Sequence, residues 1–341
     1  LGYVCFAAMP TSPGEGRALS FDFGEQGDVW FKVPTERHQT TVVGLIRNVL
    51  QAIPAPERMR HTLYALFSGG LGAALEAVNR GRPLFDGTVQ ERQFGAPLMA
   101  PTNSLIVPLY GRCDFLRHQL AQFADDPDFA HTELLYVVDD PALVSETLEL
   151  AARYAPLFRV PFRVLWYGEN RGFAGANNIG ARAARGENLL LVNSDVIPQR
   201  AGWISILAAA LHELPDAGAV GPLLLFGDES VQHAGMYPRT DDVFPGFLLN
   251  THKGMGTVWE GGDAPSEHPM LTAACLMLKK CDFEAVGGFD EGYVIGDFED
   301  SDLCLALRKR GKRMWLVPEA RLWHLERQSQ NLGQAIGERQ L

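Results

Sequence analysis

The sequence has little that would assign it to a membrane, nucleic-acid or disulfide-bonded class. No apolar run approaches the ~18 residues of a membrane-spanning helix. No charged, apolar and small-residue leader opens the chain, but this absence decides nothing because the chain begins with Leu1. The net charge of -11 argues against nucleic acid as the main partner, since phosphate backbones are bound by basic surfaces. The five cysteines form no CxxC pair, so we expect reduced thiols in the cytoplasm.

The length of 341 residues predicts about two domains. We expect an accessory region of mixed or helical structure over residues 1–100, a main domain over 101–330 and a tail over 331–341. No catalytic pattern occurs before residue 100, and we interpret that region as a packing or partner-binding appendage of open role. Within it, apolar spacing predicts one strand and two helices, at residues 21–33, 40–53 and 61–79.

From Ser104 onward, short apolar strands alternate with amphipathic helices. This rhythm predicts right-handed βαβ units and an α/β fold with a mostly parallel central sheet. After residue 214 it gives way to Gly- and Pro-rich connections, which we expect to shape a binding face. The predicted elements are strands at 104–108, 133–138, 162–166, 189–192 and 314–317, and helices at 114–123, 143–154, 175–185, 203–214 and 303–311.

The segment LLLVNSD is the most informative part of the chain. Its four apolar residues predict a parallel strand covered on both faces, and Asn193-Ser194-Asp195 ends it. Ligands of open α/β sheets gather at the carboxyl ends of the strands. Asp195 is therefore a candidate ligand for a hard divalent cation that also holds nucleotide phosphates. A simple turn is the alternative, because Asn, Ser and Asp all favour turns.

Asp139 and Asp140 follow another apolar strand, on the same predicted edge. A carboxylate there can accept hydrogen bonds from a base or a ribose. Between the two strands lies ENRGFAGANNIG, residues 169–180, whose small residues predict a helix start close to the sheet and to a phosphate. Arg171 would add charge to that contact. The spacing matches neither GxGxxG nor GxxxxGK[ST], so a helix packed tightly on the sheet is the alternative.

An acidic segment occupies residues 290–302, with six carboxylates and no Lys or Arg. Glu299, Asp300 and Asp302 directly precede an apolar helical face, where acids favour a first helical turn. Capping needs one or two acids, so it does not explain all six carboxylates. Mutual repulsion should raise the pKa of one carboxyl, which suits a general base. Further on, His324 follows a strand and is a candidate metal ligand beside Asp195.

Taken in order, VDDP, ENRGFAGANNIG, LLLVNSD, VGGFDEGYVIGDFEDSDLCLALRKRG and WHLERQS resemble the inverting family 2 glycosyltransferases of GT-A fold. The rhamnosyltransferase-like group that builds bacterial surface polysaccharides is especially similar. The resemblance covers roughly residues 103–330. It implies a Rossmann-like nucleotide-diphospho-sugar transferase domain that moves a sugar to a hydroxyl by one inverting displacement.

The resemblance also implies roles for individual residues. Asp139 or Asp140 would hold the base or ribose, and Asn193-Ser194-Asp195 would stand at the DxD motif. Asp195 and His324 would ligate Mn²⁺ or Mg²⁺, and Asp300 would be the catalytic base. The supporting donor residues are Arg171, Asn178, Asn193 and Ser194, and those on the acceptor side are Asp290, Glu299 and Asp302.

The same resemblance implies the partners. The donor would be a UDP-, dTDP- or GDP-linked sugar and the acceptor a saccharide or lipid-linked saccharide. We therefore expect a cytoplasmic protein in the cell-envelope pathway of a bacterium, with peripheral association at the inner face of the membrane and no nucleic-acid partner.

Two other functions stay open from the sequence. Asn193 stands where many relatives have the first acid of DxD, which favours a non-catalytic nucleotide-sugar-binding or assembly module. Asp300 and His324 speak against that alternative. A sugar nucleotidyltransferase is the other, but no Gly-rich, basic triphosphate loop follows the first strand.

Overall fold

The computed structural model describes residues 87–240, 248–293 and 298–325, together with two short strands before residue 33 and isolated positions between residues 61 and 85. The helices predicted at 40–53 and 61–79 fall largely outside the described residues, and the predicted tail at 331–341 falls wholly outside them. The strand predicted at 21–33 corresponds to an antiparallel pair, with Ala18 opposite Lys32 and Asp22 opposite Asp28.

Fifteen strands and six α-helices are described. The strands are β1 Ala18–Asp22, β2 Asp28–Lys32, β3 Gln90–Phe94, β4 Asn103–Leu109, β5 Thr132–Val138, β6 Phe162–Trp166, β7 Asn188–Val192, β8 Val196–Pro198, β9 Ala217–Leu225, β10 Val231–His233, β11 Met236–Thr240, β12 Leu248–His252, β13 Ser266–His268, β14 Cys275–Lys279 and β15 Arg313–His324. The helices are α1 Phe115–Phe123, α2 Val144–Phe158, α3 Gly172–Ala183, α4 Trp203–Glu213, α5 Lys280–Ala285 and α6 Glu299–Lys309.

The large sheet has two halves of different character. Strands β6, β5, β4 and β7 are neighbours in that order and run parallel, as the βαβ rhythm predicts. Beyond β7 the sheet is mixed, because β14 lies antiparallel between β7 and β9. The expectation of a mostly parallel sheet therefore holds for the first half only. The reason is that β14 is reached through a long connection rather than through a crossover helix.

Helices cover the parallel half on both faces. Leu105, Val107 and Leu109 of β4 belong to a core that also contains residues of α1, α2 and α4. On the opposite face, α3 approaches the sheet so closely that a Cβ at Gly180 would lie 2.5 Å from Ile106 Cγ2. The small residues predicted to allow close packing therefore do so. In the part of the chain that is described, no helix is long and apolar enough to span a bilayer.

The chain divides into two compact units, of which the larger comprises Gly87–Arg239 and Leu248–Gly333. Strand β3 belongs to this unit, since it pairs antiparallel with β6 at the edge of the sheet. Phe94 of β3 also stacks on Phe162, with ring centroids 5.1 Å apart. The division near residue 100 remains a proposal, and we place the start of the main domain at Gly87 so that β3 is included.

A buried ionic network fastens the amino-terminal side of the parallel strands. Glu133 accepts hydrogen bonds from Ser104 Oγ at 2.6 Å and from the Arg185 backbone at 2.5 Å. Its other oxygen lies 2.9 Å from Arg163 Nη2. Arg163 also contacts Glu91, whose side chain is half exposed. The network ties β3, β4, β5 and β6 together, and only Glu133 within it compensates the Arg163 charge from a buried position.

We therefore expect Glu133→Ala to lower the free energy of unfolding by about 3 kcal/mol or more, because it leaves a buried charge uncompensated. Glu91→Ala removes the exposed partner of the same Arg163 and should cost about 1 kcal/mol or less. Urea unfolding of both variants measures the difference. Equal losses would contradict this description of the network.

Candidate active site

Three neighbouring strands deliver polar side chains to one edge of the sheet. Strands β5, β4 and β7 are parallel, so their carboxyl ends lie together. Arg112 follows β4, Asp139 follows β5 and Asp195 follows β7, each within three residues of the strand end. The strand-end position that the sequence predicts for Asp139 and Asp195 is confirmed.

Asp195 and His324 meet although they are distant in the sequence. Strand β15 pairs with β8, and this pairing sets His324 opposite Val196. The Leu325 backbone N–H donates to the Asp195 carbonyl at 3.1 Å. His324 Nε2 consequently lies 3.5 Å from Asp195 Oδ1, and both side chains are buried.

This pair fits a divalent cation in its chemistry. A carboxylate and an imidazole are both ligands that Mn²⁺ accepts. Among the described residues, the buried Nδ1 of His324 has no hydrogen-bond partner, so the ring is not fixed by a bond on that side. The described residues contain no group of three or more His, Cys, Asp or Glu arranged to hold a metal. Two protein ligands would leave coordination positions for phosphate oxygens and water.

The backbone fixes the turn that carries Asp195. Asn193 N–H donates to the Ala274 carbonyl at 2.9 Å, and the Asn193 carbonyl accepts from Gln119 Nε2 at 3.2 Å. The Asn193 side chain is partly exposed, whereas Ser194 is buried. Of these two predicted donor residues, Asn193 is thus the one that reaches the surface of the crevice.

Asp300 lies in the first turn of α6, as predicted. Its Oδ2 accepts from the Ala273 backbone N–H at 3.2 Å, and its Oδ1 accepts from the Ser301 backbone N–H at 2.7 Å. Burial raises the pKa of Asp300 to about 6, while these hydrogen bonds and one from the Thr272 side chain oppose the rise. Desolvation, and not repulsion from neighbouring carboxylates, is the cause of the rise at Asp300.

One short backbone segment connects the turn that carries Asp195 to the carboxylate of Asp300. Ala274 accepts the hydrogen bond from Asn193, beside Asp195, and Ala273 donates to Asp300. Thr272 adds its side-chain bond to the same carboxylate. Residues 272–274, which we name the linking segment, therefore hold the turn of the predicted metal ligand and the predicted base at one place. The sequence gives no sign of this connection.

Asp139 is bound within the protein. Its carboxylate accepts from Tyr167 Oη at 2.5 Å and from the backbone N–H groups of Arg171 and Gly172 at 2.7 and 3.0 Å. The amides at the start of α3, where the sequence favours a phosphate, thus already bind an anion of the chain. Asp140 is partly exposed and caps a short 3₁₀ turn through the Ala142 N–H at 3.0 Å.

Arg171 and Asn178, both predicted to bind the donor, also have protein partners. Arg171 Nη2 lies 2.7 Å from Glu291 Oε2, so its charge is compensated. Asn178 exchanges two hydrogen bonds with the Phe289 backbone, both at 2.9 Å. The two side chains hold the loop before α6 against α3. Their predicted contact with the donor stays a prediction, and in this structure both side chains support that loop.

The other acids of the cluster occupy different environments. Asp290 is exposed and binds the Gly292 N–H at 2.8 Å. Glu299 is buried, and its side chain accepts from the Phe298 N–H at 3.1 Å. Burial raises the pKa of Asp302, and repulsion from Asp290 adds to the rise. Repulsion between carboxylates is thus present at Asp302, where it is the smaller cause.

Sequence reasoning missed two groups near this edge. Arg112 is bound to Asp114, which raises the pKa of its guanidinium, and the Asp195 charge contributes to the same rise. Its position after the first parallel strand could have identified it. His233 is buried beside the linking segment, and its Nε2 lies 3.5 Å from Thr272 N. No spacing in the sequence indicates that contact.

Comparisons with known proteins agree with this geometry. Residues 104–260 match the family model described as Glycosyl transferase family 2. The O-antigen biosynthesis protein RfbC of Myxococcus xanthus is 29% identical over 237 residues, which are 66% of this chain and 17% of that protein. The N-acetylglucosaminyl-diphospho-decaprenol L-rhamnosyltransferase of Mycobacterium tuberculosis is 33% identical over 135 residues, which are 36% of this chain and 42% of that protein. The chain thus spans less than half the length of either relative.

Among solved structures, the fold is similar to that of GalNAc-T7, crystallised with UDP, GalNAc and Mn²⁺. The TM-score is 0.52 and the sequence identity 16%, over 66% of this chain and 44% of that one. At this identity the likeness concerns the fold alone. Together with the strand-end site and the matched family model, it makes residues 104–260 of this chain a glycosyl transferase family 2 domain with the GT-A fold.

Proposed function

We propose that the protein transfers a sugar from a nucleotide-diphospho-sugar to a hydroxyl group of a saccharide or lipid-linked acceptor, by metal-assisted single displacement with inversion. The observation that carries this proposal is the linking segment. It joins the turn of Asp195 and the carboxylate of Asp300 through adjacent residues, at the strand ends of a family 2 domain.

Asp195 and His324 would hold Mn²⁺ or Mg²⁺ together with the donor diphosphate. A bound cation supplies charge that stabilises the departing diphosphate. Arg112 stands on the same edge, with its charge paired to Asp114, and would have to release that partner to bind a phosphate. Asp140 and Asn193, which are partly exposed there, are the candidates for contact with the nucleoside. Asp139 would act indirectly, through the loop that it anchors.

Asp300 would be the general base. Its pKa of about 6 leaves it ionised at neutral pH yet basic enough to take a proton. The acceptor oxygen attacks the anomeric carbon as its proton passes to Asp300. The bond from that carbon to the phosphate oxygen breaks on the opposite side, and the nucleoside diphosphate leaves. One displacement inverts the anomeric centre, and no covalent intermediate with the enzyme forms.

The named relatives support the choice of substrates. RfbC is an O-antigen biosynthesis protein and the mycobacterial relative is an L-rhamnosyltransferase. A UDP-, dTDP- or GDP-linked sugar as donor and a growing or lipid-linked surface saccharide as acceptor are consistent with both. We propose that the reaction takes place at the cytoplasmic face of the membrane, where a lipid-linked acceptor would be presented.

A non-catalytic nucleotide-sugar-binding module remains the second candidate, and Asn193 is the observation that favours it. Both candidates bind the donor, so binding does not separate them. Slow hydrolysis of the donor does, because it needs a base and a stabilised leaving group. Release of nucleoside diphosphate from UDP-, dTDP- and GDP-linked hexoses, with and without Mn²⁺, is the test. Release with Mn²⁺ from one of them supports the enzyme, and none from any supports the module.

Asp195→Asn should abolish the Mn²⁺-dependent part of nucleoside diphosphate binding, because it removes the only predicted carboxylate ligand. Calorimetry with UDP, dTDP and GDP, in Mn²⁺ and in EDTA, measures that part. Asp216→Asn is the control, since Asp216 is an exposed carboxylate outside the crevice. Asn193→Asp should tighten Mn²⁺ binding by restoring the first acid of DxD. If Asp195→Asn binds the nucleoside diphosphate in Mn²⁺ as tightly as the wild type, Asp195 is not a metal ligand.

Asp300→Asn should lower turnover about 100-fold or more while donor affinity changes little. The amide keeps the size of the side chain and can still accept from the Ala273 N–H, but it takes up no proton. Glu299→Gln and Asp302→Asn are matched controls in the same helical turn. Near-normal turnover in Asp300→Asn, with loss in one of the controls, would move the base to that residue.

Asp300 should also make activity and stability depend on pH in opposite directions. Turnover should rise through pH 6 as the carboxyl ionises. An unfolded aspartate has a pKa of about 3.9. The folded protein holds this proton more tightly, so its contribution to stability falls as pH rises from about 4 to about 6. At pH 7 Asp300→Asn should therefore unfold at a higher free energy, by about 1–3 kcal/mol. A stability loss instead would indicate a simple cap.

A further inference from the structure

Buried His233 and partly exposed His252 form a pair near Asp300 that has no role in the proposed reaction. His233 ends β10 and is 1% exposed. Its Nδ1 lies 3.1 Å from Nδ1 of His252, which ends the neighbouring strand β12. Burial lowers the pKa of His233 well below the usual value for histidine, and nearby His252, His268 and His324 lower it further. The His233 ring is therefore neutral at pH 7.

The partners of His233 define where its proton resides. Backbone N–H groups of Gly235 and Thr272 point at Nε2, at 3.3 and 3.5 Å. An N–H can be received only by a nitrogen that carries no proton, so Nε2 is the acceptor and Nδ1 carries the hydrogen. Nδ1–H then donates to Nδ1 of His252. This tautomer satisfies every contact that the ring makes.

Glycine at position 235 permits this arrangement. Its φ is +99°, and a Cβ there would lie 2.2 Å from the His268 ring. No other residue would leave the chain free to turn back so that its own N–H reaches His233 Nε2. Within the Gln-His-Ala-Gly sequence at 232–235, the Gly235 N–H therefore donates to the ring nitrogen Nε2 of His233.

The linking segment lies between His233 and Asp300. The Thr272 N–H faces His233, while the next amide along the chain, that of Ala273, donates to Asp300 Oδ2. The Thr272 hydroxyl accepts from the Ala274 N–H at 3.2 Å and bonds Asp300 as well. Two adjacent backbone amides therefore donate to two different side chains, that of Thr272 to His233 and that of Ala273 to Asp300.

We propose that His233 is a positioning residue, whose Nε2 holds the Thr272–Ala273 peptide in the orientation that presents its hydrogen bonds to Asp300. The inference rests on the proposed role of Asp300 as the base. Strand β12 supports the same geometry from the other side, because Asn250 Oδ1 accepts from Ser301 Oγ at 2.7 Å. His233 itself does not touch the reacting atoms.

The consequence is measurable on the protein without substrate. Hydrogen bonds from Ala273 and Thr272 lower the pKa of Asp300 against the effect of burial. If His233 no longer holds the peptide, those bonds weaken and the pKa of Asp300 rises. His233→Leu removes the acceptor at similar size. His233→Gln places an amide oxygen near the position of Nε2 and keeps the acceptor.

The test is carboxyl-¹³C NMR of the full chain, with the Asp300 signal assigned by its absence in Asp300→Asn. We expect His233→Leu to raise the pKa of Asp300 and His233→Gln to return it to the wild-type value. His212→Leu is the control, because His212 lies beside Asn188, at the opposite end of β7 from the linking segment. Turnover of a nucleotide hexose that the wild type hydrolyses should fall about 10-fold in His233→Leu without change in KM.

An unchanged Asp300 titration in His233→Leu would overturn the inference, as would an equal change in His212→Leu. If His233→Leu does not fold, ¹⁵N NMR of the wild-type histidines decides: a proton on Nδ1 of His233 supports the inference and one on Nε2 overturns it. Failure of the proposed function is a separate result, because it would appear as wild-type turnover in Asp300→Asn whatever the titration of Asp300.

Discussion

The site depends on the backbone hydrogen bonds of the linking segment, residues 272–274. Through them Asn193 is fixed from one side and Asp300 from the other, at 2.9 and 3.2 Å. The turn that carries Asp195 and the start of α6 come from distant parts of the chain, and their relative position would otherwise rest on packing alone. Because β14 begins directly after the segment and lies antiparallel to β7, the sheet holds the Asn193–Ala274 bond in register.

The electrostatics follow from burial more than from the number of charges. The acidic segment suggests mutual repulsion, yet desolvation is what raises the pKa of Asp300, and repulsion contributes only at Asp302. At the start of α3 the chain supplies its own anion, Asp139, to amides that would otherwise suit a phosphate. The charge of Arg171 is likewise compensated by Glu291. Arg112, at the end of the neighbouring strand β4, is compensated in the same way by Asp114.

The sequence predicts the parallel half of the sheet well, because each strand there is a short apolar run closed by polar residues. The strand expected at 162–166 is observed as Phe162–Trp166, and the strand ends at Asp139 and Asp195 are correct. Local spacing could not reveal β14 between β7 and β9, nor β3 at the far edge, since both pairings join distant segments. For the same reason the partners of Arg171, Asn178 and His233 were not foreseen. The resemblance named Asp195, His324 and Asp300 together, and only the tertiary structure shows what joins them.

The most direct test of this account is the position of a bound metal. Crystals grown with Mn²⁺ and the nucleoside diphosphate that binds best would give an anomalous difference map. The account predicts a single strong peak within bonding distance of the Asp195 carboxylate and His324 Nε2, with the diphosphate on the side that faces Asp300. A peak elsewhere, or a nucleotide bound at the start of α3 after displacing Asp139, would contradict it.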